Sequence, residues 1–149
     1  MAIGEICNRE VVYVNRDVTV NAACKLMRHY HVGSLVVVDE IDGKRVPAGI
    51  LTDRDIVVEI DATDLDPKVI TVGDIMLPEL VTVPENQGVL ETIEIMRSKG
   101  VRRVPIVDGE SRLIGIVTID DLLEVLAGEL ADIASIVSRE QSHERRARR

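Results

Sequence analysis

The sequence of 149 residues contains no phenylalanine and no tryptophan, and tyrosine occurs only twice. A protein so poor in aromatic rings lacks the row of stacking platforms on which single-stranded nucleic acids are commonly bound. Because 46% of the residues are nevertheless hydrophobic, the core must consist of Val, Ile, Leu, Met and Ala. A chain of this length buries about two thirds of its unfolded surface, which is enough for one domain with a substantial core.

Cysteine is also scarce, since only Cys7 and Cys24 are present and they form no C-x-x-C motif. A disulfide framework is therefore not expected. His29 and His31 complete no four-ligand spacing with these cysteines, so we predict no metal site and interpret the histidines as surface or packing residues. No segment resembles a signal peptide or a membrane span, which predicts a cytoplasmic protein without membrane association.

Motifs of the common catalytic sites are missing as well. The sequence has no P-loop, no G-x-G-x-x-G motif and no Ser-His-Asp or Cys-His set that fits one cleft. We therefore predict no catalytic residue and no enzymatic activity.

Positive charge is in deficit, because the formal net charge is -8. This value argues against a general nucleic-acid surface. The end of the chain differs from the rest, since residues 139–149 carry five arginines and two glutamates. This segment is predicted to be a solvated, frayed end. The alternative is a docking handle for an acidic partner or a nucleic acid.

The sequence is internally duplicated. At an offset of 69 residues, "IGEICNREVVYV" (3–14) matches "VGDIMLPELVTV" (72–83). The offset later falls to 66, where Gly49 matches Gly115 and Asp55 matches Asp121. The first copy therefore has three more residues, in the segment "EIDGKRVPA", where a loop insertion costs little free energy.

Both copies predict the element order β-α-β-β-α. The β-branched segments "VVYV" and "LVTV" indicate strands, and helical periodicity begins at Val20 and Val89. Gly100 is expected to end the second of these helices. Two strands follow in each copy, "SLVVVD" and "VPAGIL" in the first and "RVPIVD" and "LIGIV" in the second, and then the helices "DRDIVVEI" and "IDDLLEVLAGELADIASIV". Thr71 and Asp74 are expected to cap a short turn at "VGDIM".

This element order, two G-h-h-T-x-x-D motifs (49–55 and 115–121, h hydrophobic) and the R-x-P-h-h-D segment at 103–108 resemble the CBS domain, and two tandem copies resemble a Bateman module. The resemblance covers roughly residues 3–130. It implies an α/β (α+β) fold of two repeated motifs packed about a pseudo-twofold axis. We expect CBS motif 1 at 3–60, a linker at 61–71, CBS motif 2 at 72–130, and a C-terminal helix extension with a basic tail at 131–149.

The resemblance also implies a function. CBS pairs bind adenosine-containing regulatory ligands between their motifs, and AMP, ADP or ATP is expected here, with S-adenosylmethionine or a dinucleotide as other possibilities. The expected protein is a homodimeric, stand-alone sensor that requires no cofactor and signals to an unidentified regulated protein. The alternative is a structural dimerisation module without a small-molecule ligand.

One cleft of the module is implied to be rich in arginine. Asp55 would bind the ribose hydroxyls and the guanidinium groups would bind phosphate, because charge-assisted and bidentate hydrogen bonds suit these groups. Backbone groups at 80–82 could pair with the adenine edge. The expected residues of this cleft are Thr52, Arg54, Asp55, Leu80, Val81, Val101, Arg102, Arg103 and Pro105.

The second cleft is implied to contain no arginine from either motif. It is expected to be empty, to bind weakly, or to take an uncharged or dinucleotide moiety. The expected residues of this cleft are Thr118, Asp121, Val11, Val12, Val32, Gly33 and Ser34.

Each of these interpretations has a plainer structural counterpart. T-x-x-D before an apolar run is also an ordinary capping box. Gly49 and Gly115 could admit packed protein backbone instead of an adenine ring. Arg102 and Arg103 could be a solvated pair on an acidic protein. The amphipathic segment 122–137 is expected to pack on a second subunit or on the N-terminal turn of the first copy.

Overall fold

The computed structural model describes residues 1–148, so Arg149 of the predicted basic tail lies outside the described residues. The chain divides into two compact units, of which the first is Met1–Val117 and the second begins at Thr118. The first unit holds all of the first repeat and most of the second, and a long helix makes up the second unit. Among the described residues, no helix combines the length and apolar character needed to cross a bilayer.

The elements repeat as the duplicated sequence predicts. The helices are α1 (Ile3–Ile6), α2 (Val20–Tyr30), α3 (Asp53–Ile56), α4 (Val72–Ile75), α5 (Val89–Lys99) and α6 (Ile119–Ala147), and a π-helical turn (Val57–Asp61) follows α3. The strands are β1 (Tyr13–Asn15), β2 (Ser34–Ile41), β3 (Lys44–Thr52), β4 (Val83–Pro84), β5 (Arg103–Val107) and β6 (Leu113–Thr118). This mixed architecture confirms the predicted fold class.

Two three-stranded sheets form the frame, in the orders β1-β2-β3 and β4-β5-β6. The first strand of each sheet runs parallel to the central strand, and β3 runs antiparallel to β2. The central strands are buried from Leu35 to Val38 and from Val104 to Val107, as expected for nearly continuous apolar runs. β1 and β4 begin later than predicted, so that the segments 11–12 and 80–81 precede their strands.

Helix α2 packs through its predicted apolar stripe, whereas α5 buries Val89, Thr92 and Met96 and leaves Leu90 of its predicted stripe exposed. Val20, Ala23 and Met27 of α2 are buried. Cys24 on the same stripe is partly buried, and this burial raises the pKa of its thiol. Gly100 ends α5 in the left-handed conformation, with a φ of 66°, as predicted. His31 ends α2 in the same way, although it is not glycine.

The N-terminal turn of each repeat packs on the other repeat. In α1, the N–H of Ile3 donates to the carbonyl of Gln87 at 2.7 Å. In the equivalent position of α4, the N–H of Val72 donates to the carbonyl of Val18 at 2.8 Å. Both Ile3 and Val72 are fully buried, and Val72 belongs to the apolar core of the first repeat. The two repeats are therefore joined by a reciprocal exchange at equivalent positions.

Gly49 and Gly115 lie directly against other segments of the chain, where a side chain would not fit without a shift. A Cβ atom on Gly115 would lie 2.5 Å from the Sγ of Cys7 and 3.1 Å from the carbonyl oxygen of Asn8. A Cβ atom on Gly49 would lie 3.0 Å from the Sδ of Met76 and 3.3 Å from the carbonyl oxygen of Leu77. Each glycine thus gives room to the segment that follows the exchanged turn of the opposite repeat, which agrees with the packing interpretation.

The Thr-x-x-Asp motifs form capping boxes. The N–H of Thr52 donates to Oδ2 of Asp55 at 2.8 Å, and the N–H of Asp55 donates to Oγ1 of Thr52 at 3.1 Å. The same pair of bonds joins Thr118 and Asp121 at the start of α6, at 2.8 and 3.3 Å. At the start of α4, the N–H of Thr71 donates to the carboxylate of the predicted Asp74 at 2.9 Å, and this bond lowers the pKa of that carboxyl.

Two helical segments differ from prediction. The helix after β3 is α-helical only through Ile56 and continues as the π-helical turn, where the N–H of Ala62 donates to the carbonyl of Val57. The expectation of a frayed end was wrong for the described part of the tail, because α6 continues to Ala147. No Gly or Pro interrupts the chain after Gly128, and Glu, Gln, Ala and Arg favour helix. The tail is exposed, as predicted.

We expect Gly115→Ala to lower the free energy of unfolding by about 1–3 kcal/mol, because the new Cβ would press on Cys7 and on the backbone of Asn8. Urea unfolding followed by circular dichroism measures the change. Gly109→Ala is the control, since no atom lies within 4 Å of its new Cβ. Equal stability of the two variants would contradict this close packing.

We expect Asp55→Ala to lower the free energy of unfolding of the ligand-free chain by about 0.5–1.5 kcal/mol, because the N–H of Thr52 loses its acceptor. Glu59→Ala removes an exposed carboxylate beyond the first turn of the same helical run and serves as the control. If urea unfolding shows no difference between these two variants, the capping bond contributes nothing measurable.

Candidate ligand-binding site

A cleft of about 340 Å³ lies in the first compact unit, between the end of β3 and the segments that precede β4 and β5. It brings together seven of the nine residues predicted for the arginine-rich site. These are Thr52, Arg54, Leu80, Val81, Val101, Arg102 and Arg103. We call it the arginine cleft. The elements of the two repeats therefore meet here in the combination that the resemblance to the CBS domain implies.

Two of the predicted residues, Asp55 and Pro105, do not line the cleft. The carboxylate of Asp55 is engaged by the capping bond from Thr52, through its Oδ2 atom. Within residues 1–148, its other oxygen, Oδ1, accepts no hydrogen bond. Pro105 is buried in β5.

The three arginines of the cleft have no carboxylate partner among residues 1–148. Within the described chain, the side chains of Arg54, Arg102 and Arg103 form no ion pair and no hydrogen bond. Other arginines are paired, for example Arg16 with Asp39 at 2.7 Å and Arg112 with Asp108 at 2.7 Å. The unpaired guanidinium groups give the cleft a capacity for anions that the protein itself does not satisfy.

The sequence did not single out four lining residues, Ile50, Asp53, Leu77 and Glu79. Ile50 could have been predicted from the sequence, because it lies two residues before Thr52 and therefore on the same face of β3. Leu77 belongs to the segment against which Gly49 packs. Asp53 and Glu79 place two carboxylates beside the arginines, and Oδ1 of Asp53 accepts the N–H of Arg54 at 2.8 Å.

At the wall of the cleft, the backbone groups of Leu80 and Val81 have no hydrogen-bond partner in the part of the chain that the structure describes. In the first repeat, the N–H of Val36 donates a hydrogen bond to the carbonyl of Val12 at 3.1 Å. The equivalent of Val36 is Pro105, which has no N–H to donate, so Val81 lacks the equivalent bond. Neither Leu80 nor Val81 forms any backbone hydrogen bond within residues 1–148. Partly buried backbone groups without a partner require one from water or a ligand.

The residues predicted for the second cleft are only partly brought together. Val11, Val12 and Val32 line a separate cavity of about 660 Å³ in the first compact unit. Its other lining residues are Asn8, Glu10, Tyr13, Leu26 and Tyr30, so that it contains no arginine. Gly33 and Ser34 do not line it. Thr118 and Asp121 belong to the second compact unit, and their part in a ligand site stays a prediction.

Within residues 1–148, no three His, Cys, Asp or Glu side chains come together in a group suited to a metal ion. The arrangement that the structure offers for a ligand is instead the arginine cleft, which combines unpaired cations, apolar side chains and free backbone groups.

Comparison with known proteins places the sequence in a family. The family model of the CBS domain matches residues 3–62 and again residues 72–128. An uncharacterized protein of Methanopyrus kandleri is 38% identical over 125 residues, which is 84% of this chain and 62% of that protein. The chain therefore spans less than two thirds of that relative. Hypoxic response protein 1 of Mycobacterium tuberculosis is 36% identical over 118 residues, which is 79% of this chain and 80% of that protein.

Two of the similar solved structures contain adenosine ligands. The CBS domain pair of protein MJ0100 in complex with 5'-methylthioadenosine and S-adenosyl-L-methionine has a TM-score of 0.72 and 26% identity, covering 87% of this chain and 98% of that one. The cytosolic domain of the Mg²⁺ channel MgtE in complex with ATP has a TM-score of 0.70 and 31% identity. This match covers 83% of this chain and 48% of that one. Fold, duplication and both family matches lead to one conclusion: the chain belongs to the CBS-domain family and carries two copies of its domain.

Proposed function

We propose that this chain is a regulatory, non-catalytic module that binds an adenine nucleotide in the arginine cleft and signals its presence to a partner protein. One observation carries the proposal: Arg54, Arg102 and Arg103 line one cleft without any carboxylate partner within residues 1–148. A phosphate group suits such a set, because each guanidinium is permanently charged and can donate two parallel hydrogen bonds.

The sugar and base find complementary groups in this proposal. Asp55 does not line the cleft itself but follows the lining residues Asp53 and Arg54 directly, and in this proposal its Oδ1 accepts a ribose hydroxyl while Oδ2 continues to accept a hydrogen bond from the N–H of Thr52. A carboxylate has about four lone-pair sites, so both roles are compatible. The unpaired backbone of Leu80–Val81 pairs with the adenine edge, since adenine presents an acceptor nitrogen beside a donor amino group. Val101 contributes an apolar wall.

The size and the charge of the cleft restrict the choice of ligand. A volume of about 340 Å³ is near the lower end of small-molecule sites, which favours a mononucleotide over a dinucleotide. The arginines favour AMP, ADP or ATP over S-adenosylmethionine, whose sulfonium group is a cation. The adenosine ligands bound by MJ0100 and by the MgtE domain support the same class of ligand.

Signalling follows from where the cleft lies. Its residues come from both repeats, so a bound nucleotide favours the arrangement of the repeats that fits it best. The ligand shifts such an equilibrium only by its differential affinity for the two arrangements, and a tenfold difference supplies about 1.4 kcal/mol. We propose that a homodimer of this module presents the change to a regulated protein.

A second candidate is a structural interaction module without a ligand, which the engagement of Asp55 in a capping box favours. A thermal-shift panel of adenosine compounds separates the two functions. A ligand at about 100 times its dissociation constant stabilises the native state by about 2.7 kcal/mol. If no adenosine compound raises the melting temperature, the structural function replaces the sensor.

We expect Arg54→Ala, Arg102→Ala and Arg103→Ala each to weaken nucleotide binding by about 10–100-fold, because each removes a charge-assisted hydrogen bond to phosphate. Calorimetric titration of AMP, ADP and ATP measures the effect. Arg28→Ala, an exposed arginine of α2, is the control and should leave the affinity unchanged. Equal affinity of all four variants would refute the phosphate assignment, and unchanged affinity in Asp55→Ala would refute the ribose contact.

We expect IMP to bind at least about tenfold more weakly than AMP, because hypoxanthine reverses the donor and acceptor positions that face the backbone of Val81. Pro105→Ala restores an N–H that competes for this carbonyl and should reduce the preference for AMP. Competition calorimetry measures the ratio of the IMP and AMP dissociation constants, both for the unmodified protein and for Pro105→Ala. Equal binding of the two nucleotides to the unmodified protein would show that the base is recognised elsewhere or not at all.

A further inference from the structure

The segment 77–81 runs along the arginine cleft and joins α4 to β4. Neither the backbone nor the side chains of this segment form a hydrogen bond or an ion pair within the described chain. It is held at its ends, where α4 packs on the apolar core of the first repeat and β4 pairs with β5 of the second. We call this segment the strap. Four of its five residues line the cleft, namely Leu77, Glu79, Leu80 and Val81.

The equivalent segment of the first repeat, 8–12, is tied along its length. The N–H and the carbonyl of Asn8 both form hydrogen bonds with the backbone of Ile116 in β6, each at 2.9 Å. The N–H of Glu10 donates to the side-chain oxygen of Asn8 at 2.9 Å. At the far end of the segment, β2 donates a further bond to the carbonyl of Val12 at 3.1 Å. The two repeats therefore hold equivalent segments in different ways.

Burial does not account for this difference. In each segment the first three residues are exposed and the last two are partly buried. Leu77, the first residue of the strap, is 64% exposed. Because the two segments are buried alike, the contrast between them lies in their hydrogen bonds. A segment with few bonds and little burial is the part of a protein that opens at the lowest cost in free energy.

The sequence explains why the strap lacks these bonds. Leu77 stands where the first repeat has Asn8, so the side-chain acceptor for the backbone is missing. Pro105 stands where the first repeat has Val36, and proline has no N–H to donate. The backbone bridge between Asn8 and β6 has no counterpart between Leu77 and β3 in the described residues. The looseness of the strap is thus specific to the second repeat, whose arginines line the cleft.

We propose that the strap is loose in the ligand-free protein and that a nucleotide in the arginine cleft fixes it. This inference rests on the proposed function, in which the base gives the backbone of Leu80 and Val81 the partners that the described chain does not supply. Fixing the strap stiffens the connection between α4, which packs on the core of the first repeat, and β4 of the second sheet. The nucleotide is therefore signalled by an ordered segment within a frame that stays the same.

Amide hydrogen exchange, resolved by residue with NMR, tests the ligand-free state of the full chain. The amides of Leu77 and Glu79 should exchange at least about tenfold faster than the equivalent amides of Asn8 and Glu10, after correction for intrinsic rates. The first repeat is the matched control, because its segment has the same pattern of burial and differs in its bonds. Equal exchange at the paired positions overturns the proposal.

The same measurement with saturating AMP tests the effect of the ligand. The amides of Leu77 and Glu79 should slow at least about tenfold, although their backbone is not proposed to contact the base. Slowing of these two amides distinguishes an ordered strap from a local contact at Val81. Inorganic phosphate offers the arginines a partner but the strap none, so it is the control and should leave the rates unchanged.

The outcomes separate this inference from the proposed function. If calorimetry shows that AMP binds while Leu77 and Glu79 exchange as fast as before, the strap proposal is overturned and nucleotide binding stands. Equal slowing by phosphate overturns the claim that the base fixes the strap. If neither AMP, ADP nor ATP binds, the proposed function is refuted, and the role of a nucleotide in fixing the strap is refuted with it.

Discussion

The exchange of N-terminal turns is the constraint on which the module depends. Ile3 and Val72 are both fully buried, and each belongs to a turn whose first N–H is bonded to a carbonyl of the opposite repeat. A repeat separated from its partner would lose a wall of its core and leave these backbone groups without partners. The module therefore folds as a pair, and the glycines at 49 and 115 are needed because the same exchanged segments run directly against them.

This exchange also creates the site. It holds the end of β3 from one repeat next to the segments that precede β4 and β5 of the other, and the arginine cleft is the space between them. The frame is symmetric, but the side chains are not. Arg102 and Arg103 stand where the first repeat has Gly33 and Ser34, and Pro105 stands where it has Val36. Divergence at these positions, and not a change of fold, makes the two cavities chemically different.

The Thr-x-x-Asp motif shows how one feature can serve stability and binding together. Its carboxylate accepts the N–H of Thr52, and the hydroxyl of Thr52 accepts the N–H of Asp55, which accounts for both residue types and their spacing without any ligand. One oxygen of Asp55 nevertheless accepts no hydrogen bond within the described chain, and this oxygen is the basis for proposing a ribose contact. The motif therefore marks where the helix starts. The surrounding residues determine whether the same motif can also contact a ligand.

The sequence by itself determined the duplication, the element order and the buried central strands, because periodicity and repetition are local properties of the chain. The residues expected in the arginine cleft came from the resemblance to the CBS domain, and seven of them line the cleft. It did not determine the π-helical turn after Ile56, which depends on small differences in backbone energy, or the continuation of α6 to Ala147. Only the tertiary structure decided that, within the described part of the chain, the arginines of the cleft have no carboxylate partners and the backbone groups of Leu80 and Val81 have no hydrogen-bond partners, and that Gly49 and Gly115 face packed chain. Each of these depends on which distant segments come within a few ångströms of each other, and that is set by the packing of the whole molecule.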